Sequence, residues 1–301
     1  MGISPFVAIL ASIAVACVIG VWQGWLIGYI HIPPFICTLA GMFLFRGIAR
    51  VILDSKTVAV MDKKFLSLFT SYIQIPGLDI NQRVISSMAV GILVAIAITA
   101  YTFISERNKM KKGYECASIK ATAIKVAIFD LVILFYAYKL MSYKGIPIML
   151  IWILVVVAIF AFITSSTVFG RYFYAVGGNE KATRLSGIDP RKVYFWAYFL
   201  MSLLAGLSGL LVGARIGSVD GNMGNSYEMD AIASCFIGGA SAYGGLGTVQ
   251  GIMIGAILLG VINQGMSILG LPDQFQYIVK GAVLLGAVVF DVVSNHKTGK
   301  S

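Results

Sequence analysis

The sequence predicts an all-α, polytopic membrane protein with about eight to nine membrane segments. Of its 301 residues, 58% are hydrophobic and 12% are charged, whereas soluble domains carry about 25% charged residues. Several apolar runs reach the roughly 20 residues that a helix needs to cross a bilayer. These runs are continuous, whereas a membrane β-barrel would show short strands of alternating polarity. We therefore expect residues 1–301 to form a single transmembrane domain.

Nine apolar runs follow one another along the chain, separated by prolines, glycines and charged loops. The first ends at Pro33 and Pro34, because proline has no backbone N–H with which to continue a helix. The seventh is weaker than the others and ends in a glycine-rich stretch. The predicted segments are 6–29, 35–53, 84–104, 121–141, 146–169, 193–214, 231–243, 249–269 and 275–293.

The distribution of Lys and Arg predicts which loops face the cytoplasm. The net charge of +10 indicates cytoplasmic loops rather than nucleic-acid binding, because membrane proteins concentrate Lys and Arg there. The densest basic run, 105–120, is therefore placed inside. Counting spans from it places 171–192 and the C-terminus inside and the acidic loop 215–230 outside. The same count places Met1 outside, which predicts an odd number of further spans before Met1 in a longer natural protein.

Residues 171–192 form a basic island between two apolar runs and carry the signals of a complete short helix. Asn179 is a preferred N-cap residue, and Glu180 suits the positive N-terminal end of a helix. Gly187 can take the left-handed conformation after the last turn, and Pro190 prevents continuation. About eight residues are too few for a helix that is stable alone, so this one must rest on a surface. It could be a handle for a partner or an ordinary loop with one helical turn.

The stretch 238–251 contains too many glycines for an uninterrupted helix. Broken backbone at membrane depth is tolerated where it is buried in protein or lines a water-filled path. The alternative is close helix packing through small residues, which fits Gly247, Gly251 and Gly255. The glycines that favour a broken or re-entrant element lining a path are Gly238, Gly239, Gly244 and Gly245.

A short internal similarity suggests an inverted repeat. Residues 20–28 resemble residues 247–255, with matching glycines at both ends and in the middle. The two segments run in opposite directions in the predicted topology, as in the inverted repeats of many transporters. Chance similarity in a chain with 33 glycines is the alternative.

Neutral polar side chains inside the apolar runs are candidates for a translocation path. Together they could line a route for an uncharged, hydroxyl-rich solute, whereas each alone is typical of a hydrogen bond between helices. These residues are Gln23, Thr38, Gln250, Asn263 and Gln264.

The sequence shows no constellation of residues that would carry bond chemistry. The two histidines lie at a turn and in the tail, and the four cysteines have no Cys-x-x-Cys spacing, so no metal site is predicted. The glycine-rich stretch lacks the Gly-Lys-Ser/Thr ending of a phosphate-binding loop. We therefore expect no enzyme activity, no metal and no cofactor bound by this chain.

Few charged residues fall inside the predicted segments. Asp130 lies in mid-span, where an unpaired charge is costly, so it is either a proton site of a secondary transporter or a packed polar group. Proton-coupled carriers usually contain several such groups, which favours the second interpretation. Lys280 and Asp291, towards the two ends of the last segment, are interpreted as interfacial.

Three stretches of the sequence resemble one family of transport proteins. They are 167–188 around the short helix, 230–251 around the glycine-rich stretch, and 33–47 after the first segment. Together they resemble the permease subunits of ribose/xylose/galactose-type sugar ABC importers, over nearly the whole chain. The xylose and multiple-monosaccharide branch is the most similar, because of the extra charged loop and the fourth segment.

The resemblance implies a permease subunit of an ATP-driven monosaccharide importer in the bacterial inner membrane. It implies three kinds of partner: cytoplasmic subunits that hydrolyse ATP, an extracytoplasmic sugar-binding protein, and a second permease subunit, expected to be another copy of this chain. The Gly-Gly-Ile-Asp-Leu-Ser-Val-Gly-type motif of the family's earlier spans is absent, in agreement with a shortened N-terminus.

In this family the loop 171–192 would be the cytoplasmic coupling loop, whose short helix docks on the ATPase. Lys181 stands where importer permeases generally carry glutamate. The residues expected to couple to the ATPase are Gly178, Asn179, Glu180, Ala182, Arg184, Leu185 and Gly187.

Two functions from other classes remain alternatives. A proton-coupled secondary sugar transporter would need Asp130 and would work without ATP. A membrane scaffold that transports nothing would be consistent with a shortened chain.

Overall fold

The computed structural model describes residues 4–60, 62–72 and 145–297, with single positions and short runs between 91 and 139. Most of the predicted segments 84–104 and 121–141, and all of the basic run 105–120, lie outside the described residues. All three stretches that resemble the permease family are described.

Helices dominate the described residues, which confirms the predicted all-α fold class. In chain order the described elements are α1 (Pro5–Gly28), α2 (Pro34–Ile52), β1 (Val58–Ala59), α3 (Lys63–Thr70), α4 (Ile148–Ser166), α5 (Val168–Gly178), α6 (Glu180–Leu185), α7 (Pro190–Ile216), β2 (Ser218–Val219), α8 (Tyr227–Ile237), α9 (Val249–Ile268) and α10 (Asp273–Lys297). Within this part of the chain, six helices are long and apolar enough to cross a membrane: α1, α2, α4, α7, α9 and α10.

Proline begins several of the long helices. Pro5, Pro34 and Pro190 occupy the first turns of α1, α2 and α7, where the missing N–H leaves no hydrogen bond unmade. The Asp189 side chain accepts a hydrogen bond from the backbone N–H of Arg191 at 3.1 Å. Pro190, which was predicted to end the short helix, is also the first residue of α7.

The seventh predicted segment, 231–243, is only partly helical. α8 has 11 residues, which at 1.5 Å per residue cover about 16 Å, roughly half of the hydrocarbon core of a bilayer. Gly238 and Gly239 follow it, and Gly239 has a φ of +83°. The segment is thus a half-helix followed by a glycine-rich loop, which confirms the prediction of a broken element.

Among the described helices, α1 and α7 form the most extensive contact, and they run in opposite directions. Gly20, Gly24 and Gly28 lie along the side of α1 that faces the α7 backbone. A Cβ added at Gly24 would lie 2.7 Å from the carbonyl oxygen of Phe195, and one added at Gly28 would lie 2.7 Å from that of Arg191. Small residues at such spacing allow helix backbones to approach closely in membranes.

α8 packs against α9 and α10. A Cβ added at Gly238 would lie 2.6 Å from the Gly251 backbone, and one added at Gly255 would collide with the carbonyl oxygen of Ser234. This confirms the helix-packing interpretation for Gly251 and Gly255. The same interpretation is wrong for Gly247, which has a φ of +147° and lies in the loop before α9.

Two connections that follow α2 and α7 are joined by hydrogen bonds. β1 and β2 pair in antiparallel fashion, with Val58 opposite Val219. Beside them Arg50 Nη2 donates to Asn222 Oδ1 at 2.7 Å. The predicted topology ends α2 and α7 on the same side of the membrane, and the contact agrees with that topology.

The chain divides into two compact units, Met1–Leu66 with Ile153–Ser301, and Ser67–Trp152. Within the second unit Tyr72 and Pro147 form an antiparallel bridge. The loop 171–192 and the glycine-rich loop both belong to the first unit.

Gly24→Ala should lower the thermal stability of the purified protein. The new Cβ would overlap the Phe195 carbonyl, and overpacking of this kind costs roughly 1–3 kcal/mol. Gly209→Ala in α7 is the matched control, because nothing lies within 4 Å of a Cβ added there, and alanine in an open helical position gains about 0.5–1 kcal/mol over glycine. Melting midpoints in detergent measure both effects, and equal midpoints would contradict the close α1–α7 contact.

Candidate functional site

The short helix predicted within 171–192 is present as α6, and its N-cap is confirmed. The Asn179 side chain accepts a hydrogen bond from the backbone N–H of Ala182 at 2.9 Å. Glu180 is the first residue of the helix, and its Oε2 accepts a hydrogen bond from the Tyr194 hydroxyl at 3.0 Å. This bond fastens the start of α6 to α7.

The C-terminal end of α6 is also closed as predicted. Gly187 has a φ of +86°, and its N–H donates to the Arg184 carbonyl at 3.1 Å. The N–H of Ile188 donates to the Thr183 carbonyl at 3.3 Å. These two bonds make a Schellman motif, so α6 is capped at both ends; it has six residues and is slightly shorter than predicted.

α6 presents one apolar side chain to solvent. Leu185 is 90% exposed, the largest value among the exposed large hydrophobic residues that the structure describes, whereas Thr183 is 5% exposed. Lys181 and Arg184 are exposed as well. The free face of α6 thus carries one apolar and two basic side chains.

α5 occupies a stretch that sequence reasoning treated as loop. Thr167 caps it by accepting a hydrogen bond from the Gly170 N–H at 3.0 Å. Its aromatic side chains attach it to α7, since the Phe169 ring lies 4.8 Å from that of Phe173 and 6.2 Å from that of Trp196. A threonine followed by aromatic residues at helical spacing is the sequence pattern from which α5 could have been predicted.

α5 ends in direct backbone contact with the glycine-rich loop before α9. We call this the glycine contact; it joins Gly177 and Gly178 to Gly244 and Gly245. A Cβ added at Gly177 would lie 2.9 Å from the Gly245 nitrogen, and one added at Gly244 would collide with the Gly177 carbonyl oxygen. Gly244 and Gly245 also have φ values of +85° and +74°, which residues with side chains rarely adopt. The contact therefore requires glycine on both sides.

Two side chains hold the glycine-rich loop beside this contact. The Tyr174 hydroxyl on α5 donates to the Gly247 carbonyl at 2.9 Å. On α10, Asp291 Oδ2 accepts a hydrogen bond from the Ala242 N–H at 3.0 Å. Asp291 was interpreted only as interfacial, and its bond to the loop could not be read from the sequence. The loop is thus held by α5 and by α10.

The neutral polar residues among the nine candidates for the path lie in different surroundings. Asn263 Nδ2 donates to Asp230 Oδ2 at 3.3 Å, between α9 and α8. Thr38 donates to the Pro34 carbonyl of its own helix at 2.9 Å, and Gln23 packs against α2. Gln250 and Gln264 are exposed.

The four glycines among the candidates lie in and beside the glycine-rich loop. Gly238 packs α8 on α9, Gly239 lies in the left-handed region, and Gly244 and Gly245 form the glycine contact. That these nine residues line one path stays a prediction.

Asp130 belongs to the second unit and is hydrogen-bonded there. Thr99 donates to its Oδ2 at 2.7 Å, in agreement with the packed polar interpretation, whereas its buried Oδ1 has no hydrogen-bond partner among the described residues. Asp130 does not stand alone in this unit, where Lys139 Nζ also lies 5.7 Å from the centre of the Phe135 ring. Asp130 borders an apolar cavity. The other residues that line this cavity are Ile92, Ala95, Ile96, Thr99 and Leu134.

The six long apolar helices of the described part are typical of a polytopic helical membrane protein. Among the residues that the structure describes, no group of His, Cys, Asp or Glu side chains is placed to hold a metal ion. The chain belongs to the family described as branched-chain amino acid transport system / permease component, whose model matches residues 1–288.

Curated relatives of this chain include sugar permeases. It is 35% identical over 291 residues to the xylose transport system permease protein XylH of Haemophilus influenzae, which covers 97% of this chain and 75% of that relative. It is 31% identical to XylH of Escherichia coli, over 96% of this chain and 72% of the relative. The ribose import permease protein RbsC of Escherichia coli is 45% identical over 142 residues, 47% of this chain and 44% of the relative.

These relatives confirm the resemblance that the sequence motifs indicated, including its xylose branch. They are transport permeases, which confirms that the chain is not an enzyme. No solved structure matches the chain.

Gly244→Ala should destabilise the protein more than Gly187→Ala. Both residues have positive φ values, so alanine is strained at either site by about 1–2 kcal/mol. Only at Gly244 would the new Cβ also collide with the Gly177 carbonyl, since nothing lies within 4 Å at Gly187. The difference between the two melting midpoints measures the glycine contact, and a Gly187→Ala midpoint as low as that of Gly244→Ala would contradict it.

Proposed function

We propose that the chain is the membrane permease subunit of an ATP-driven importer for monosaccharides of the xylose, ribose and galactose class. The support for the substrate class comes from the relatives, which are xylose and ribose permeases. The neutral polar residues within its helices suit an uncharged, hydroxyl-rich solute, because pockets recognise such solutes with a few placed polar groups. Residues 1–301 would form one transmembrane permease domain in the bacterial inner membrane.

The observation that carries the proposal is the free face of α6. A capped helix with an exposed Leu185 suits a groove on another protein that has an apolar pocket. Lys181 and Arg184 on the same helix favour acidic side chains around that pocket. We infer that α6 docks on a cytoplasmic ATPase subunit, which binds and hydrolyses the ATP, while this chain holds no cofactor.

The glycine contact would transmit movement from the ATPase into the membrane. α6 continues directly from α5, and α5 touches the loop between α8 and α9 through backbone atoms. Packed backbone without intervening side chains has little room to deform, so a displacement of α6 would move the loop as well. The loop is bonded to α10 by Asp291, so three helices, α8, α9 and α10, would respond.

The proposed topology places α6, the glycine-rich loop and the C-terminus in the cytoplasm. The β1–β2 pair and the Arg50–Asn222 bond would then lie outside, on the face available to an extracytoplasmic sugar-binding protein. A second permease subunit, another copy of this chain, would complete the path. The long apolar helices would face the bilayer or that second copy.

Leu185→Asp should abolish association with the ATPase while leaving membrane insertion intact. A charge in the apolar pocket removes the central contact of the interface, and such residues typically weaken binding by about tenfold or more. Leu269→Asp is the matched control, because Leu269 is also an exposed leucine at a helix end, at 77%, but on the side opposite α6 in the proposed topology. Co-purification with the tagged ATPase measures association, and wild-type recovery of the Leu185→Asp variant would refute the coupling role.

Uptake of labelled xylose by cells that express the chain with its partners should stop with vanadate and continue with a protonophore. ATP-driven import depends on the ATPase cycle, whereas a proton-coupled carrier depends on the proton gradient. Asp130→Asn should keep transport within about twofold of wild type, because Thr99 can still hydrogen-bond to the amide oxygen. Protonophore-sensitive, vanadate-insensitive uptake that needs Asp130 would favour the carrier, and no flux under any condition would favour a scaffold.

A further inference from the structure

A polar cluster lies between α8, α9 and α10, and sequence reasoning did not find it. Lys280 Nζ lies 2.9 Å from Asp230 Oδ2, and Asn263 Nδ2 donates to the same oxygen at 3.3 Å. The Lys280 and Asp230 side chains are only 19% and 24% exposed. We call these three residues the Asp230 cluster. Lys280 alone had suggested an interfacial charge, and Asp230 had been assigned to the end of a loop.

The Asp230 cluster has two oxygen atoms whose hydrogen-bonding capacity is unused. Asp230 Oδ1 and Asn263 Oδ1 are buried, and neither has a hydrogen-bond partner among the described residues. Buried polar atoms in proteins nearly always have a partner, and an unpaired acceptor in an apolar surrounding is costly. Both atoms are acceptors, so the missing groups are hydrogen-bond donors.

The cluster lies within the membrane segments and close to one end of them. Asn263 is five residues from the end of α9 and Lys280 is seven residues from the start of α10, which places both about 7–11 Å along the helices from the turn that joins them. In the proposed topology this is the outer side. Ionisable residues at such depth usually mark a solute or ion pathway.

The charges of the cluster suit a neutral solute. Asp230 and Lys280 form a pair with no net charge, so the cluster offers acceptors and an ammonium donor without attracting an ion. A sugar hydroxyl donates one hydrogen bond and accepts another, and it can therefore bridge the unused oxygens and the ammonium group. We propose that the Asp230 cluster contacts hydroxyl groups of the transported sugar near the outer end of its path.

This inference rests on the proposed function, and the fold links the two. α8 carries Asp230 in its first turn, and its other end leads into the glycine-rich loop. A movement of α6 that reaches this loop through the glycine contact would therefore also move α8. The two unused oxygens are covered in this structure, and a displacement of α8 relative to α9 would change their access.

A double variant, Asp230→Leu with Lys280→Met, separates this site from a purely structural ion pair. Replacement of a buried ion pair by apolar residues of similar size is often neutral or stabilising, so the variant should fold and co-purify with the ATPase. With saturating loaded binding protein in proteoliposomes, we expect its xylose transport rate to fall by about tenfold or more, since hydrogen bonds to charged groups are lost. Transport within about twofold of wild type would overturn the proposal.

A second variant keeps the test decisive if the double variant fails to accumulate. Asn263→Leu has nearly the same shape and leaves the Asp230–Lys280 pair in place, and we expect it to reduce transport by at least about fivefold. Ser267→Ala is the matched control on the same helix, because the Ser267 hydroxyl donates to the Asn263 backbone carbonyl, and it should transport normally. Equal rates for these two variants would overturn the site. If the wild-type protein itself shows no vanadate-sensitive uptake, that result contradicts the proposed function as well.

Discussion

The glycine contact between α5 and the loop before α9 links the short helix α6 to the helices at the C-terminal end of the chain. Backbone meets backbone there, because side chains are excluded at Gly177, Gly244 and Gly245. The positive φ values of Gly244 and Gly245 shape the loop so that it can reach α5. Tyr174 on one side and Asp291 on the other then hold the loop in place. The position of α6 is thereby tied to that of α8, α9 and α10.

Features that depend on local signals could be predicted from the sequence. Asn179 and Gly187 identified both ends of α6, because capping depends on residues within one or two turns. The six long described helices followed from continuous apolar runs, and the break after α8 followed from its glycines. α5 was not predicted, because its apolar side chains pack on the aromatic side chains of α7. From the sequence alone, its residues were assigned to the end of the segment 146–169 and to the loop after it.

Features that depend on tertiary contacts could not be predicted. The short-helix motif within 171–192 and the glycine-rich motif were identified separately, and nothing in either indicates that Gly177 touches Gly244. Lys280 and Asp230 are 50 residues apart, and only the packing of α8 against α10 brings them together. The neutral polar residues were grouped by type, and that Asn263 bonds to Asp230 and Gln23 packs against α2 could not be read from the sequence. Local chemistry thus located the parts of the site, and the fold connects them.

The central claim is that α6 faces the cytoplasm, where an ATPase can reach it, and the sidedness of Leu185 tests it most directly. Leu185→Cys and, as a control, Asn222→Cys would be made in a variant without the four native cysteines, in cells that lack the ATPase. Both would be treated with a membrane-impermeant maleimide in spheroplasts and in inverted vesicles. We predict that the Leu185→Cys variant reacts only in inverted vesicles and the Asn222→Cys variant only in spheroplasts. Reaction of the Leu185→Cys variant in spheroplasts would contradict the account.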